Sequence, residues 1–141
     1  IVSTEQYLYI LNIETGATIL KASISSLVKP IISKKNLFLI TPDNLLVCLN
    51  VDTGEVIYSV DINQEIANFL KIKKKSITTR SFAIVNNNLF VFLRNSYLVK
   101  FTRKAKIQNI NKLPVNLGSF PIFINDSIIY LDQKNKLVVL D

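Results

Sequence analysis

The segment LLVCLNVDTGEVIY (residues 45–58) is the strongest indication of the fold, because an equivalent segment occurs earlier in the chain. It aligns without a gap with YLYILNIETGATIL (residues 7–20) at an offset of 38 residues, which superposes Asn12 on Asn50 and Gly16 on Gly54. A repeat of this length is typical of architectures built from stacked, similar units.

Two weaker copies follow. NLFLI (36–40) is matched by NLFVF (88–92), and LFLITPDNLLVCLN (37–50) is matched by IIYLDQKNKLVVLD (128–141). Successive copies are therefore 38, 52 and 39 residues apart, and the second copy carries about 14 extra residues. The predicted units are 1–28 (partial), 29–80 with an insertion at 63–80, 81–120, and 121–141 (partial).

Each unit is predicted to contain four short β-strands. Runs of Ile, Val, Leu, Phe and Tyr alternate with polar turns, as in Asp52-Thr53-Gly54, where Gly54 supplies a positive φ. In the best-preserved copy the strands are expected near 30–33, 37–41, 45–51 and 55–61. The helical spacing of Ile66, Phe69 and Leu70 in the insertion is the one candidate for a helix.

The predicted strands are apolar on both faces, since LFLI, LLVCL, IIYL and LVVL barely alternate with polar residues. A sheet with one wet face would alternate, whereas a sheet packed on both faces need not. Four strands in about 40 residues with both faces covered describe a β-propeller blade, and the hairpin turns argue against a β-solenoid. The predicted fold is all-β, a partial β-propeller of four-stranded antiparallel blades with about three to four blades present.

The composition excludes several kinds of site. The chain of 141 residues has no His and one Cys, which excludes His/Cys zinc sites, a His-based catalytic triad and an internal disulfide. No run of apolar residues is long enough for a membrane span. The chain has no Met, so we expect it to be a piece of a longer protein, with the remaining propeller blades in the same or another chain.

The net charge of +7 carries limited information about partners. Ile, Asn and Lys, which have AT-rich codons, supply 20, 15 and 14 residues, and Lys outnumbers Arg 14 to 3. The basic residues lack interleaved aromatic or Gly-rich patterns, so nucleic-acid binding is not expected.

The segment LNVDTGEVIYSV (residues 49–60) resembles the PQQ-type propeller repeat. Asn50 stands in that repeat's Asp position, Thr53 and Gly54 match directly, and Tyr58 stands where a Trp docks one blade on the next. The first copy has Leu20 in the Trp position, and the third copy has lost the Thr-Gly turn, with Lys106 in place of Gly.

The resemblance implies one of two functional branches. The chain looks more like the BamB-type outer-membrane lipoproteins, which bind no cofactor and dock on the periplasmic domains of BamA in the β-barrel assembly machinery. The alternative is a PQQ-dependent oxidoreductase, a quinoprotein dehydrogenase fragment with its active site in missing blades. Those dehydrogenases are expected to carry adjacent cysteines, calcium-binding carboxylates and many Trp residues, and this chain has one Cys and no Trp.

We therefore expect a non-catalytic scaffold for protein–protein interaction rather than an enzyme, without a cofactor or metal. The resemblance implies a BamA-like periplasmic partner and a periplasmic, outer-membrane associated location. A WD- or kelch-like adaptor is a third interpretation, against which the Thr-Gly turn argues.

The candidate partner-binding residues lie in and just after the insertion. They combine an apolar pair with a basic run: Phe69, Leu70, Lys71, Lys73, Lys74, Lys75 and Arg80. Ile66, Phe69 and Leu70 are expected to form an exposed apolar anchor, and an anchor of this kind with a charged rim suits a protein–protein contact. A solvated, lysine-rich loop is the alternative interpretation of the charges, and packing of Ile66, Phe69 and Leu70 onto the blade is the alternative for the apolar residues.

The remaining reactive residues are expected to be structural. Five Asp could in principle bind calcium or act as bases, but no calcium-loop motif is present, and turn positions explain the first two: Asp43, Asp52, Asp61, Asp126 and Asp132. Cys48 lies in the middle of a predicted strand without a His to activate it, so a buried thiol is expected. Arg94 and Arg103 are expected at surface turns.

Overall fold

The computed structural model describes residues 1–125 and 127–140. The candidate acid Asp126 and the last residue of the predicted fourth unit, Asp141, lie outside the described residues. The chain divides into two compact units, Ile1–Lys75 and Ser76–Asp141.

The first unit contains two antiparallel sheets and one helix. The first sheet has three strands in chain order: β1 (Val2–Ser3), β2 (Leu8–Leu11) and β3 (Thr18–Ala22). The second has four strands, also in chain order: β4 (Ile31–Ser33), β5 (Asn36–Ile40), β6 (Leu45–Asn50) and β7 (Val56–Asp61). Helix α1 (Ile62–Leu70) follows β7 directly.

The second unit also contains two antiparallel sheets. The third sheet has four strands: β8 (Thr79–Val85), β9 (Asn88–Leu93), β10 (Tyr97–Thr102) and β11 (Ile107–Lys112). The fourth has three strands: β12 (Ile122–Ile124), β13 (Ser127–Leu131) and β14 (Leu137–Leu140). Four consecutive sheets of chain-ordered antiparallel strands confirm the predicted all-β fold of propeller blades, a partial β-propeller.

The repeated turn has the same hydrogen bonds in both of its copies. The Asn12 side-chain oxygen accepts from the backbone N–H groups of Glu14 and Thr15 at 2.9 and 3.0 Å. The Asn50 oxygen accepts from those of Asp52 and Thr53 at 2.8 and 3.2 Å. Gly16 and Gly54 then take φ values of +71° and +75°, which only a residue without a Cβ adopts at little cost.

The core of the first unit lies between its two sheets. Leu8 and Ile10 of β2 pack with residues of β5 and β6, namely Leu37, Leu39, Val47 and Leu49. The neighbouring side chains of β5, Phe38 and Ile40, are also fully buried. Both faces of this strand are therefore covered, which explains why its sequence does not alternate.

The core of the second unit is more aromatic. Phe92 and Leu98 of the third sheet pack with Tyr130 of the fourth and with Leu113 and Leu117 from the connection between the two sheets. The Tyr130 hydroxyl donates to the Val115 carbonyl oxygen at 3.1 Å, so its one polar group is satisfied within the core. Burial raises the pKa of Tyr130 above its ordinary value, although the bond to Val115 opposes that rise.

Candidate functional site

The predicted docking residues lie on and after helix α1, which is fixed to the first unit at its N-terminus. Asp61 is the N-cap, and its side-chain oxygen accepts from the backbone N–H of Gln64 at 3.0 Å. The inner face of the helix is buried through Ile62, Ile66 and Ala67. Ile66 is only 7% exposed, so it does not belong to an exposed anchor.

The helix ends in a sharp turn at Lys71. This residue has a left-handed conformation with φ of 53°, and the Ile72 backbone N–H donates to the Ala67 carbonyl oxygen at 3.0 Å. A left-handed residue at this position closes the helix and satisfies its last carbonyl groups. The chain that follows is therefore held against the last turn rather than continuing the helix axis.

Residues 69–75, which we call the docking segment, present apolar side chains among lysines. Phe69, Leu70 and Ile72 are between 44 and 48% exposed. Lys71, Lys73 and Lys75 are exposed beside them. A cluster of half-exposed apolar side chains surrounded by charge is the composition of an interface core with its rim.

Lys74 differs from the other lysines of the docking segment. Its ammonium nitrogen lies 2.5 Å from a carboxylate oxygen of Asp61, so it reaches back to the beginning of the helix. Burial opposes the ionisation of Asp61, but the hydrogen bonds from Lys74 and from the Gln64 N–H outweigh it, and the pKa of Asp61 is below its ordinary value. Lys74 therefore has a structural role within the first unit.

The structure thus groups six of the seven predicted docking residues in one segment of the first unit. Arg80 lies in the second unit, on strand β8, and is half-buried. Ile72 is a third exposed apolar side chain of this segment, and the sequence-based prediction does not include it because it lies inside a run of lysines. An apolar residue between Lys71 and Lys73 is the one feature of the sequence that indicates it.

Three of the candidate acids, Asp52, Asp61 and Asp132, have local structural partners. Asp52 pairs with Lys35 at 2.8 Å, and this pairing raises the pKa of Lys35. One oxygen of Asp132 accepts from the backbone N–H groups of Lys134 and Lys136 at 2.7 and 2.8 Å. Asp43 is exposed in the turn before β6. Within residues 1–125 and 127–140, no three His, Cys, Asp or Glu side chains form a group that could hold a metal ion.

The other predicted residues lie where their sequence context places them. Cys48 is buried in the middle of β6. Arg94 is exposed directly after β9, and the Arg103 guanidinium donates to the Asn87 side-chain oxygen at 3.0 Å. Among the helices of the described residues, none is both long enough and apolar enough to cross a bilayer.

Comparisons with known proteins agree on the fold. The chain is similar to BamB from Moraxella catarrhalis, with a TM-score of 0.70 and 15% identity over 98% of this chain and 41% of that one. It is also similar to the computationally designed Ika8 protein, with a TM-score of 0.63 and 9% identity over 96% of this chain and 40% of that one.

The chain thus spans about two fifths of the length of these structures. No family model and no curated protein matches the sequence. At these identities the likeness shows the fold alone, which is a BamB-like β-propeller.

Proposed function

We propose that the chain is part of a non-catalytic propeller scaffold of the BamB type, which binds a protein partner through the docking segment. The partner we propose is a periplasmic domain of a BamA-like protein, in the outer-membrane β-barrel assembly machinery. This location and partner follow from the resemblance of the repeat, and the similarity of the fold to BamB supports them.

One observation carries the proposal: Phe69, Leu70 and Ile72 remain nearly half exposed on a segment that is otherwise fixed to the first unit. The cap at Asp61, the buried face of α1 and the Lys74 ion pair hold the segment's backbone in place. A preorganised segment loses little conformational entropy on binding, so its apolar contacts contribute more of their free energy to affinity.

The chemistry of the segment defines the partner surface. Phe69, Leu70 and Ile72 require an apolar pocket or groove, whereas Lys71, Lys73 and Lys75 require acidic groups around it. Charges at the rim mainly accelerate association, whereas buried apolar anchors mainly slow dissociation. The two kinds of residue can therefore be separated by kinetics.

The test is surface plasmon resonance with the 141-residue chain and the periplasmic region of the BamA homologue from the same genome. Substituting Phe69→Ala and Leu70→Ala should weaken affinity by about tenfold or more, mainly through faster dissociation. Substituting Lys71→Glu, Lys73→Glu and Lys75→Glu should mainly slow association and remove much of its salt dependence.

Control variants make substitutions of the same kinds at exposed positions outside the docking segment. Ile13→Ala removes an exposed apolar side chain of the first unit, and Lys29→Glu, Lys104→Glu and Lys134→Glu change the net charge equally at exposed positions. Both controls should bind like the unmodified chain. Equal losses in the control and docking variants, or binding that survives both docking variants, would show that the docking segment is not the interface.

A further inference from the structure

A separate pocket of the second unit has the composition of an anion site. Its volume is about 290 Å³, and its lining residues are two arginines, two serines, a glycine and a phenylalanine. The lining residues are Arg80, Ser81, Arg94, Gly118, Ser119 and Phe120. None of these side chains carries a carboxylate, so Arg80, Arg94 and Ser81 have no negative partner within the lining. The Ser119 hydroxyl already donates to the Phe120 carbonyl oxygen at 3.2 Å, so it is not counted among the donors for a ligand.

A β-bulge explains how consecutive residues reach the same pocket. In a regular strand Arg80 and Ser81 would point to opposite faces. The pairing of β8 with β9 shifts between Thr79, opposite Leu93, and Ser81, opposite Phe92, which leaves Arg80 as the inserted residue. Bulges of this kind redirect side chains and are frequent at functional sites.

The Ser81 hydroxyl is the second indication of a ligand. Ser81 is 3% exposed, and its oxygen is buried without a hydrogen-bond partner among the described residues. An unpaired buried hydroxyl is destabilising, so a group of this kind requires an explanation. A ligand oxygen in the pocket would accept its hydrogen bond.

The two arginines are available for such a ligand. Within the part of the chain that the structure describes, neither Arg80 nor Arg94 forms an ion pair. The Arg94 backbone N–H donates to the Thr78 carbonyl oxygen at 3.0 Å, which fixes the backbone at this side of the pocket. The planar, multiply donating guanidinium group matches the geometry of carboxylate and phosphate oxygens.

The opposite wall is positioned by a close backbone approach. A Cβ on Gly118 would lie 2.0 Å from the Asp132 carbonyl oxygen, so this position requires glycine. The Ser119 hydroxyl accepts from the Leu131 backbone N–H at 2.9 Å, which holds the wall in place. Phe120 is 70% exposed and supplies an apolar surface for the organic part of a ligand.

We propose that this pocket binds a small oxyanion, a carboxylate or phosphate group, between Arg80, Arg94 and the Ser81 hydroxyl. The site lies within the second unit and uses neither the docking segment nor the partner proposed for it. In this proposal Arg80 binds an anion, whereas its position after the lysine run predicts contact with a protein partner.

The experiment is an NMR titration of the ¹⁵N-labelled 141-residue chain at constant ionic strength, with inorganic phosphate replacing chloride. The Nε–Hε signals of Arg80 and Arg94 and the amide of Ser81 should shift saturably. The variants Arg80→Gln and Arg94→Gln should each weaken binding by about tenfold, since charge-assisted hydrogen bonds are lost. Ser81→Ala should also weaken binding. The free energy of unfolding, measured in urea, should stay unchanged or increase slightly in this variant.

Arg103→Gln is the matched control, because it removes the same charge from the remaining arginine of the chain. It should leave the affinity unchanged. Shifts that fail to saturate, or that Arg103→Gln reduces as much as Arg80→Gln does, would overturn the proposal.

A second titration with N-acetyl-phenylalanine identifies the source of the anion. If this carboxylate binds more tightly than inorganic phosphate and shifts the signals of Phe120, the ligand is an organic or peptide carboxylate. If inorganic phosphate binds more tightly than the carboxylate, the ligand is a free phosphate or a phosphoryl group. Saturable binding of neither compound would overturn the proposal.

Discussion

Single residues in the repeated turn contribute to the packing of one sheet on the next. Gly16 and Gly54 occupy equivalent positions with nearly equal φ, yet their surroundings differ. A Cβ on Gly16 would meet nothing within 4 Å, whereas a Cβ on Gly54 would lie 2.7 Å from the Leu20 side chain. Leu20, at the end of the first copy of this repeat, packs against the core of the first unit.

This difference leads to a prediction about stability. Gly16→Ala should lower the free energy of unfolding by about 1 kcal/mol, because alanine is strained at positive φ. Gly54→Ala carries the same strain and must also displace Leu20, so it should lower the free energy of unfolding further, by about 1 kcal/mol more. Urea unfolding followed by circular dichroism measures both.

The combination of Gly54→Ala with Leu20→Ala is the control for this interpretation. The effect of Leu20→Ala alone is first subtracted from that of the double variant. The remaining loss in the free energy of unfolding should equal that of Gly16→Ala, because the contact with Leu20 is then absent. Equal losses in the two glycine variants would contradict the contact.

The sequence predicts this turn well, because Asn, Thr and Gly each have a local reason to occupy it. The same reasoning explains the third copy. There the turn is one residue shorter, the Thr102 backbone N–H donates to the Lys106 carbonyl oxygen, and Ala105 takes the positive φ of 58°. The sequence shows the loss of the Thr-Gly pair. It does not show that Ala105 takes the positive φ, because that depends on the length of the turn.

Sequence patterns predict helix α1 only in part. The spacing of Ile66, Phe69 and Leu70 indicated a helix, but its start was not predicted. The signal was present, since Asp61 followed three residues later by Gln64 is a helix N-terminal pattern. The division of the apolar residues into buried Ile66 and half-exposed Phe69 and Leu70 depends on how the helix is rotated on the sheet, which only tertiary contacts determine.

The cap of this helix should make its stability depend on pH. The pKa of Asp61 is lowered in the folded chain, so its contribution is fully present above the ordinary value of 3.8 and is lost as the pH falls through the folded-state value. At pH 7, Asp61→Ala should lower the free energy of unfolding by about 1 kcal/mol. At pH values below the folded-state pKa of Asp61, the difference between the two proteins should become smaller.

Urea unfolding of both proteins across this pH range measures the effect, and their difference cancels the titration of other carboxylates. Asp61→Asn is the matched control, because an amide still caps the helix but does not titrate. Its stability should vary less with pH than that of the unmodified chain. A difference between Asp61→Ala and the unmodified chain that stays constant with pH would contradict the role of the carboxylate.

The sequence predicts the overall fold well because four copies of the repeat have the same pattern of strands and turns. The apolar runs of β5 and β6 predicted sheets covered on both faces, and the two described cores confirm that each unit packs one sheet on another. The pocket at Arg80 could not be predicted in this way. Its bulge depends on the exact register between β8 and β9, and the approach of Gly118 to Asp132 depends on tertiary contacts, neither of which the apolar pattern determines.

One apolar face of the fourth sheet is not covered by any of the described residues. Ile122 and Val139 lie on either side of Ile129 in the strand register, and Leu137 lies opposite Leu131. Ile122 is 60% exposed and Leu137 is 68% exposed, so this face of the second unit is a continuous apolar surface. Surfaces of this kind on a sheet promote association between copies of a chain.

We therefore expect the 141-residue chain to self-associate in solution, despite the repulsion from its charge of +7. Substituting Leu137→Lys and Val139→Lys should weaken this association by about tenfold or more, because a lysine ammonium cannot be buried at such an interface without a partner. Sedimentation velocity over a range of protein concentrations measures the change.

The control variant carries Ile13→Lys and Ile57→Lys, which add the same charge at exposed apolar positions of the first unit. It should associate nearly as the unmodified chain does, since added charge alone acts weakly at physiological salt. If the control pair disperses the chain as effectively, the association is governed by net charge rather than by the uncovered face of the fourth sheet.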